Sequence, residues 1–353
     1  MKKGYILKLG LAFLLAIFIF LNCRKLDIST PNYHGLLGQA EENHEIRKRE
    51  WVEALNKTMQ SVGNRKHRFP DVIGIGVQKC GTAAVNLFLN LHPHIRALQG
   101  EGQFFAKDLE KMGLNYYKNM LPAAADHEIV MEKSPSYFWR YGIAKKMHKI
   151  MPDLKIIVIL CNPIQRALSS FAMEQTYKRM TPTTFDAFVE GQLVRPTDNK
   201  HNLERLNSNN NEWKKLIDDG KYLRPIKKWL EEFRGSMYII NGDEFINDPA
   251  TVIEDLQDFF KIPKLIRRED FIRSKVTGMF CVNRWWRKEI SINQTLFKSN
   301  STVYCLKSNK GRTRSKAALP EFTMSNYTRN LLTNYFQPHN KKLYNLLGRR
   351  LNW

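Results

Sequence analysis

The chain has 353 residues, 43% of them hydrophobic, which is ample for one large α/β domain, and it contains no internal repeat or low-complexity segment. Its 56 basic against 34 acidic residues give a formal net charge of +22, which favours polyanionic ligands. No helix-turn-helix, zinc-finger or RNA-binding signature accompanies that charge, so we predict no nucleic-acid partner, and an acidic polysaccharide fits the charge equally well.

The N-terminal segment is predicted to meet a membrane. Residues 9–21 form an unbroken apolar run with lysines before it and the pair Arg24–Lys25 after it. We predict a retained signal-anchor over residues 9–23, because bulky residues stand where cleavage would need small ones. A removed signal peptide is the alternative. Lysines ahead of an anchor stay cytoplasmic, so residues 1–8 would be a cytoplasmic tail and everything after the anchor would be lumenal.

Glycosylation sequons and cysteines agree with an exported body. The four asparagines of Asn-X-Ser/Thr sequons are Asn56, Asn293, Asn300 and Asn326. The five cysteines have no metal-ligand spacing, and we predict no metal. Cys281 and Cys305 flank a polar stretch in a compartment that permits disulfides, so we predict that they are bridged.

The rest of the chain divides at about residue 69. Residues 24–68 are charged and polar and are predicted to form a lumenal stem, whereas residues 69–353 alternate short β-branched runs with amphipathic helices. That alternation predicts one α/β domain with a parallel sheet covered on both faces. The predicted strands are Val72–Val77, Ile129–Glu132, Lys155–Leu160 and Met237–Asn241. The predicted helices are Ala83–Leu91, Tyr141–Met151, Pro163–Tyr177, Tyr222–Glu232, Pro249–Phe260 and Asn326–Leu347.

The first predicted strand runs into a glycine-rich turn, Gly74–Thr82, that opens a helix. Glycines let backbone N–H groups approach an anion, the helix start adds partial positive charge, and Lys79 adds a full charge. The turn therefore predicts an anion cradle for a phosphate-type group. A nucleotide-hydrolysing P-loop has its lysine after the last glycine, whereas Lys79 precedes Gly81, which weakens a kinase-type interpretation. An ordinary strand-turn-helix joint with a solvated lysine is the alternative.

Two further loops should reach the same place. Asn162 and Pro163 predict a second capped helix start after a strand. Lys133 directly follows the second predicted strand. Ligands of open α/β sheets bind where the carboxyl ends of strands gather, so the loops after Val77, Glu132 and Leu160 should face one crevice.

A glutamate between two glycines is the candidate general base. Glu101 stands in Gln99-Gly100-Glu101-Gly102-Gln103, just before two phenylalanines. A carboxylate among basic groups can take a proton from a hydroxyl or amine. The alternative is a loop glutamate that merely pairs with a lysine.

Together these blocks resemble those of the heparan sulfate glucosamine sulfotransferases, over about residues 69–353. The matching blocks are Lys79-Cys80-Gly81-Thr82, Glu101-Gly102-Gln103-Phe104-Phe105, Glu132-Lys133-Ser134-Pro135, Asn162-Pro163 through Arg166 and Ser169, and Lys310-Gly311-Arg312. The resemblance implies a single-domain α/β fold with a P-loop-like parallel sheet flanked by helices. It also implies sulfuryl transfer from 3′-phosphoadenosine 5′-phosphosulfate (PAPS) to glucosamine in heparan sulfate, by a single-pass type II protein of the Golgi membrane.

Residue roles follow from the same resemblance. Glu101 falls on the family's catalytic base, and Lys133 falls on a lysine beside the acceptor and the sulfate. Arg166 is a helix-packing or phosphate-side residue, and Cys281 with Cys305 fall on the family's disulfide. The residues implied in PAPS binding are Lys79, Cys80, Gly81 and Thr82 at the 5′-phosphosulfate, Ser169 at the 3′-phosphate, and Lys310, Gly311 and Arg312 in a loop closing over the cofactor. Lys79 also acts in catalysis by placing charge at the transferring group.

The position that receives the sulfate stays open between two branches of the family. The anchored form and the C-terminal residues 347–353 resemble the 3-O-sulfating branch, which we favour. Gln78, Gln103, Ser134 and Asn162–Pro163 resemble the N-sulfating branch. A catalytically inactive lumenal heparan-binding protein is the third possibility. Separately, Cys80 and Cys161 end up in the same predicted crevice, where an oxidising lumen could join them.

Overall fold

The structure is a computed structural model that describes residues 33–107, 109–180, 182–194, 210–275, 278–283, 285, 303–305 and 323–353. Contacts divide the chain into residues 1–50 and a compact unit of residues 51–353. Among the described residues, no helix combines the length and apolarity needed to span a bilayer. The predicted tail and anchor, residues 1–8 and 9–23, lie outside the described residues.

The described helices account for every predicted one, with boundaries within two residues. They are α1 Tyr33–Gln60, α2 Thr82–Leu89, α3 Phe104–Lys107, α4 Leu109–Met120, α5 Ile143–Ile150, α6 Pro163–Thr176, α7 Phe185–Leu193, α8 Asn210–Asp218, α9 Leu223–Phe233, α10 Gly242–Asn247, α11 Pro249–Phe260 and α12 Asn326–Leu347. The strands are β1 Val72–Gly76, β2 Ile95–Ala97, β3 Ile129–Lys133, β4 Lys155–Leu160, β5 Met237–Asn241, β6 Phe271–Arg273, β7 Phe280–Asn283 and β8 Val303–Cys305.

The main sheet is parallel throughout, with strand order β2-β3-β1-β4-β5. Every residue of β1 is buried, and β4 is buried from its second residue onward. Strands buried on both faces need a continuous apolar run rather than an alternating one, which is the pattern that these segments carry. The predicted α/β class, a parallel sheet flanked by helices, is confirmed.

A second, antiparallel sheet contains β6, β7 and β8. Cys281 of β7 lies directly opposite Cys305 of β8, and the structure joins the two by a disulfide with a Cα–Cα distance of 4.3 Å. The predicted bridge therefore links neighbouring strands of this sheet. The two sequon asparagines that the structure describes, Asn56 and Asn326, are exposed, whereas Asn293 and Asn300 lie outside the described residues.

The compact unit begins before the predicted domain start at residue 69. Trp51 is buried and its indole N–H donates to the carbonyl of Leu265 at 3.1 Å. Ala54, Leu55 and Thr58 continue the same buried side of α1 at helical spacing. The many charges around these positions hide the apolar stripe in the sequence.

Arg166 serves helix packing. It is 2% exposed, and its guanidinium donates to Ser170 within α6 and to the carbonyl of Leu216 in α8. Asn162 caps α6 as predicted, since its side chain accepts from the N–H groups of Ile164 and Gln165. The interpretation of Arg166 as a packing residue thus has its physical basis in a buried cation that ties two helices together.

Glu128, directly before β3 at the N-terminal ends of the sheet strands, has a buried carboxylate and is 1% exposed. Arg65 donates to both of its oxygens, at 2.9 and 2.8 Å, and the Arg96 Nε donates at 3.0 Å. Burial works to raise the pKa of Glu128, but the bonds from Arg96 and Arg65 outweigh it and lower the pKa to about 2.

Glu128→Gln should destabilise the fold by about 2 to 4 kcal/mol, because two arginines lose a charged acceptor in a buried place. The matched control is Glu53→Gln, an exposed glutamate whose replacement should change the free energy of unfolding by less than about 0.5 kcal/mol. Urea unfolding at pH 7 measures both. Equal stability of the two variants would contradict the assignment.

The same carboxylate gives a pH dependence. Its folded pKa of about 2 lies below the ordinary 4.5, so its stabilisation is complete above about pH 4.5 and is lost as the pH falls towards 2. The stability difference between the wild-type protein and Glu128→Gln should therefore shrink over that interval. A difference that stays constant from pH 6 to pH 2.5 would contradict it.

Candidate active site

The loops after β3, β1 and β4 meet at the C-terminal ends of the sheet strands, because these three strands are neighbours in the main sheet. The N–H of Val77, after β1, donates to Ile159 O of β4 at 3.0 Å, and the N–H of Ser134, after β3, donates to Gly74 O at 2.9 Å. Lys79 lies in the loop after β1 and Lys133 at the end of β3, whereas Glu101 lies in the loop after β2, the neighbour of β3.

The turn from β1 into α2 has the geometry of an anion site. Lys79 and Gly81 both have left-handed backbone angles, with φ of 77° and 104°, and Gly81 is the N-cap of α2. Glycine has no side chain to accept from the first N–H groups of the helix, and these groups carry partial positive charge. An L side chain at Gly81 would be strained by the angle itself.

Lys79 is half-buried beside helix α6. Its Nζ lies 3.7 Å from Met173 Sδ, and burial lowers its pKa while the charge of Glu174 opposes that shift. Ser169 lies one helical turn before Met173 and therefore on the same side of α6. This brings the predicted 3′-phosphate contact onto the helix face that reaches Lys79. Lys310, Gly311 and Arg312 lie outside the described residues.

Lys133 connects the turn to the candidate base. It lines a small, mainly apolar cavity together with Thr82 of the turn and with the glycines Gly74 and Gly76 of β1. Its Nζ donates to Glu101 Oε1 at 2.8 Å, while Gln103 donates to the other carboxylate oxygen at 3.2 Å. The lysine side chain is 9% exposed and the glutamate side chain 40%, so the pair points from the protein interior to solvent.

Glu101 does pair with a lysine, as the alternative interpretation expected. That lysine, Lys133, is itself a candidate site residue. Two side chains orient the two oxygens of the Glu101 carboxylate: Lys133, at the end of β3, and Gln103, in the same loop as Glu101. A positioned and solvent-accessible carboxylate is what a general base for an incoming acceptor requires.

The sequence analysis missed the network beneath this loop, which centres on Glu132. That carboxylate is fully buried and accepts hydroxyl bonds from Tyr117, from Ser134 at 2.7 Å and from Tyr137 at 2.8 Å. Burial raises the pKa of Glu132, and the three hydroxyl donors oppose the shift. A carboxylate at the end of an apolar strand is the signal that could have found it, since such a group must have partners.

This network holds the loop that carries Glu101. The Ser134 hydroxyl accepts from the N–H of Gln103 at 2.8 Å while donating to Glu132. A Cβ at Gly102 would lie 2.7 Å from Glu132 Oε1, so the loop backbone rests directly on the buried carboxylate. Glycine at this position is required by that close approach.

The structure also joins Cys80, in the turn, to Cys161, at the end of β4, by a disulfide with a Cα–Cα distance of 5.3 Å. Tyr222 lies against it: its hydroxyl donates to Cys161 O at 3.0 Å and is 3.8 Å from Cys80 Sγ. Among the described residues, no group of three or more histidines, cysteines, aspartates or glutamates is arranged to hold a metal ion.

A parallel sheet with a glycine-rich turn after its central strand, beside a lysine-bound glutamate, fits a group-transfer enzyme. The family model described as "Sulfotransferase domain" matches residues 69–309, more than half of the chain. The chain belongs to this family, and it is a sulfotransferase.

Relatives with described activities match along most of the chain. Heparan sulfate glucosamine 3-O-sulfotransferase 6 of Mus musculus and that of Homo sapiens are each 28% identical to it over 292 residues, covering 82% of this chain and 75% of theirs. Among solved structures, a sulfotransferase from Alicyclobacillus acidocaldarius has a TM-score of 0.54 at 21% identity, covering 80% of this chain and 98% of that chain. That likeness supports the fold.

Ser134→Ala should weaken the site from beneath, because it leaves the N–H of Gln103 and one bond to Glu132 unsatisfied. We expect a loss of about 1 to 3 kcal/mol in stability and at least a tenfold drop in sulfotransferase activity. Ser136→Ala is the matched control, since among the described residues the buried Ser136 hydroxyl has no hydrogen-bond partner. Thermal unfolding and initial rates measure both. Equal behaviour of the two variants would contradict the role of Ser134.

Proposed function

We propose that this enzyme transfers a sulfuryl group from PAPS to glucosamine residues of heparan sulfate, with the 3-hydroxyl as the favoured acceptor. One observation carries the proposal: Lys133 shares the lining of a small cavity with Thr82 at the start of α2, and its Nζ donates to the carboxylate of Glu101. An anion-binding turn and a solvent-facing base are thereby joined through one lysine.

The residues of the turn fit the donor. Lys79 and the N–H groups of Gly81 and Thr82 would hold the 5′-phosphosulfate, Cys80 would help to shape that turn through its N–H bond to Val77 O, and Ser169 would contact the 3′-phosphate. Lys310, Gly311 and Arg312 would complete the site from the C-terminal side. Bound PAPS supplies the activated sulfuryl group.

The chain's own residues supply positioning and charge. In-line sulfuryl transfer spreads negative charge over equatorial oxygens, by analogy with phosphoryl transfer, and a lysine or N–H group placed there beforehand stabilises it. Lys79 and Lys133 would serve on the two sides of the transferring group. Glu101 would take the proton from the acceptor hydroxyl, with its two oxygens oriented by Lys133 and Gln103.

Charge and compartment support the polysaccharide. A net charge of +22 favours a polyanionic acceptor, and the relatives named above are heparan sulfate enzymes. Disulfides at Cys281–Cys305 and Cys80–Cys161 suit an oxidising lumen. We therefore place the enzyme in the Golgi membrane, anchored by residues 9–23 with its catalytic part in the lumen.

Lys79→Met should lower kcat/KM for PAPS by roughly 100-fold or more, because a preplaced charge at the donor is lost. Lys155→Met is the matched control. Lys155 is also half-buried and burial lowers its pKa, but it is the first residue of β4 and so lies at the N-terminal end of that strand, away from the proposed site. Rates with labelled PAPS measure both. A wild-type rate in Lys79→Met would contradict the proposed donor site.

Glu101→Gln should lower kcat by roughly 100- to 10,000-fold, since the amide cannot accept the acceptor's proton. Affinity for 3′-phosphoadenosine 5′-phosphate (PAP), the desulfated donor product, should stay within about twofold, because Glu101 lies on the acceptor side. Calorimetry and rates separate the two effects. A variant that keeps wild-type kcat would remove Glu101 from the role of base.

The acceptor position is tested with the full chain, labelled PAPS, and de-N-sulfated and N-sulfated heparan sulfate, followed by disaccharide analysis. We expect label on the 3-hydroxyl of the N-sulfated chains. Label on the free amine would instead make the enzyme an N-sulfotransferase. Absence of label on both acceptors, with PAP still bound, would favour the inactive heparan-binding protein.

A further inference from the structure

We propose that the Cys80–Cys161 disulfide is a positioning crosslink that fixes the anion-binding turn, so that the affinity for the 5′-phosphate end of the donor depends on this bond. The inference rests on the proposed function, because it assigns the turn to the donor. It goes further in making two cysteines of this chain responsible for the shape of that turn.

The bond links two helix starts. Cys80 stands between Lys79 and Gly81, immediately before α2, and Cys161 stands between β4 and Asn162, the N-cap of α6. The two positions are 81 residues apart in sequence. The crosslink therefore sets the distance between the two N-terminal helix ends that face the donor side, and both ends carry partial positive charge.

The two sides of the bond differ in how firmly they are held. Cys161 is 6% exposed and follows Leu160, which pairs with Asn241 of β5. A Cβ at Gly242 would lie 2.8 Å from Cys161 Cβ, and the Tyr222 hydroxyl donates to Cys161 O. On this side the backbone has little room to move.

Cys80 lies in the turn between β1 and α2, outside both elements. Its N–H donates to Val77 O at 3.1 Å, and its neighbours Lys79 and Gly81 both have left-handed backbone angles. Without the bond, no covalent link keeps the turn beside the end of β4. Because Cys161 is held by β5, Gly242 and Tyr222, any displacement falls on the turn with Cys80, and so on the N–H groups aimed at the anion.

A crosslink that only stabilised the fold would give a different result for donor binding. It would lower the melting temperature when removed, but the protein that remained folded would bind the donor unchanged. A positioning crosslink changes the affinity of the folded protein itself and raises KM for PAPS more than it lowers kcat.

The test compares PAP binding and kinetics in the full chain, purified in detergent, for the wild-type protein and Cys80→Ala/Cys161→Ala. Cys80→Ser/Cys161→Ser is the second variant if the alanine pair fails to fold. We expect at least a tenfold weaker affinity for PAP and a KM for PAPS raised by a similar factor. Retention on heparin should be unchanged. Glu128→Gln is the control, since it destabilises the opposite edge of the sheet and should leave PAP affinity within about twofold.

Equal PAP affinity in the wild-type protein and a folded double variant would overturn the inference and leave the proposed function standing. Non-reducing peptide mapping of the wild-type protein gives a second, independent measurement. A Cys80–Cys161 linked peptide is expected, and free thiols at both positions would overturn the inference. Failure of the wild-type protein itself to bind PAP would overturn the proposed function as well, which distinguishes the two.

Discussion

The site depends on the place of β1 between β3 and β4. Because all three strands run parallel, the turn after β1 is flanked by the end of β3 on one side and the end of β4 on the other. Lys133 and Cys161 are the residues at those two ends, and each makes a bond that defines the site: one to Glu101, the other to Cys80. Sheet order, rather than any local motif, brings base, lysine and turn together.

A second constraint is the buried carboxylate of Glu132, beneath the loop that carries Glu101. Glu132 precedes Lys133 in β3, so its side chain points to the opposite face of the strand and into the interior. There it collects three hydroxyl donors and supports the 101–103 loop through Ser134. Two successive residues of β3 thus have different roles. Lys133 binds the carboxylate of Glu101, and Glu132 holds the backbone that carries Glu101.

Much of this architecture could be predicted from the sequence. The four long strands of the main sheet are rich in apolar residues, and Asn162 with Pro163 marked the start of α6. The short strands β2, β6, β7 and β8, of three or four residues each, were not predicted, because so short a segment shows no periodicity. The Glu132 network was also missed, since its donors come from separate segments and only the folded chain brings them within reach. The disulfide at Cys80 could be raised as a hypothesis because both cysteines follow strands of the same sheet.

Amide hydrogen exchange with and without PAP tests whether the β1–α2 turn binds the phosphosulfate end of the donor. We expect PAP to slow exchange at residues 78–84, where the N–H groups of the turn and the first turn of α2 would gain an acceptor. If PAP binds and slows exchange elsewhere but leaves residues 78–84 unchanged, the donor does not bind at this turn.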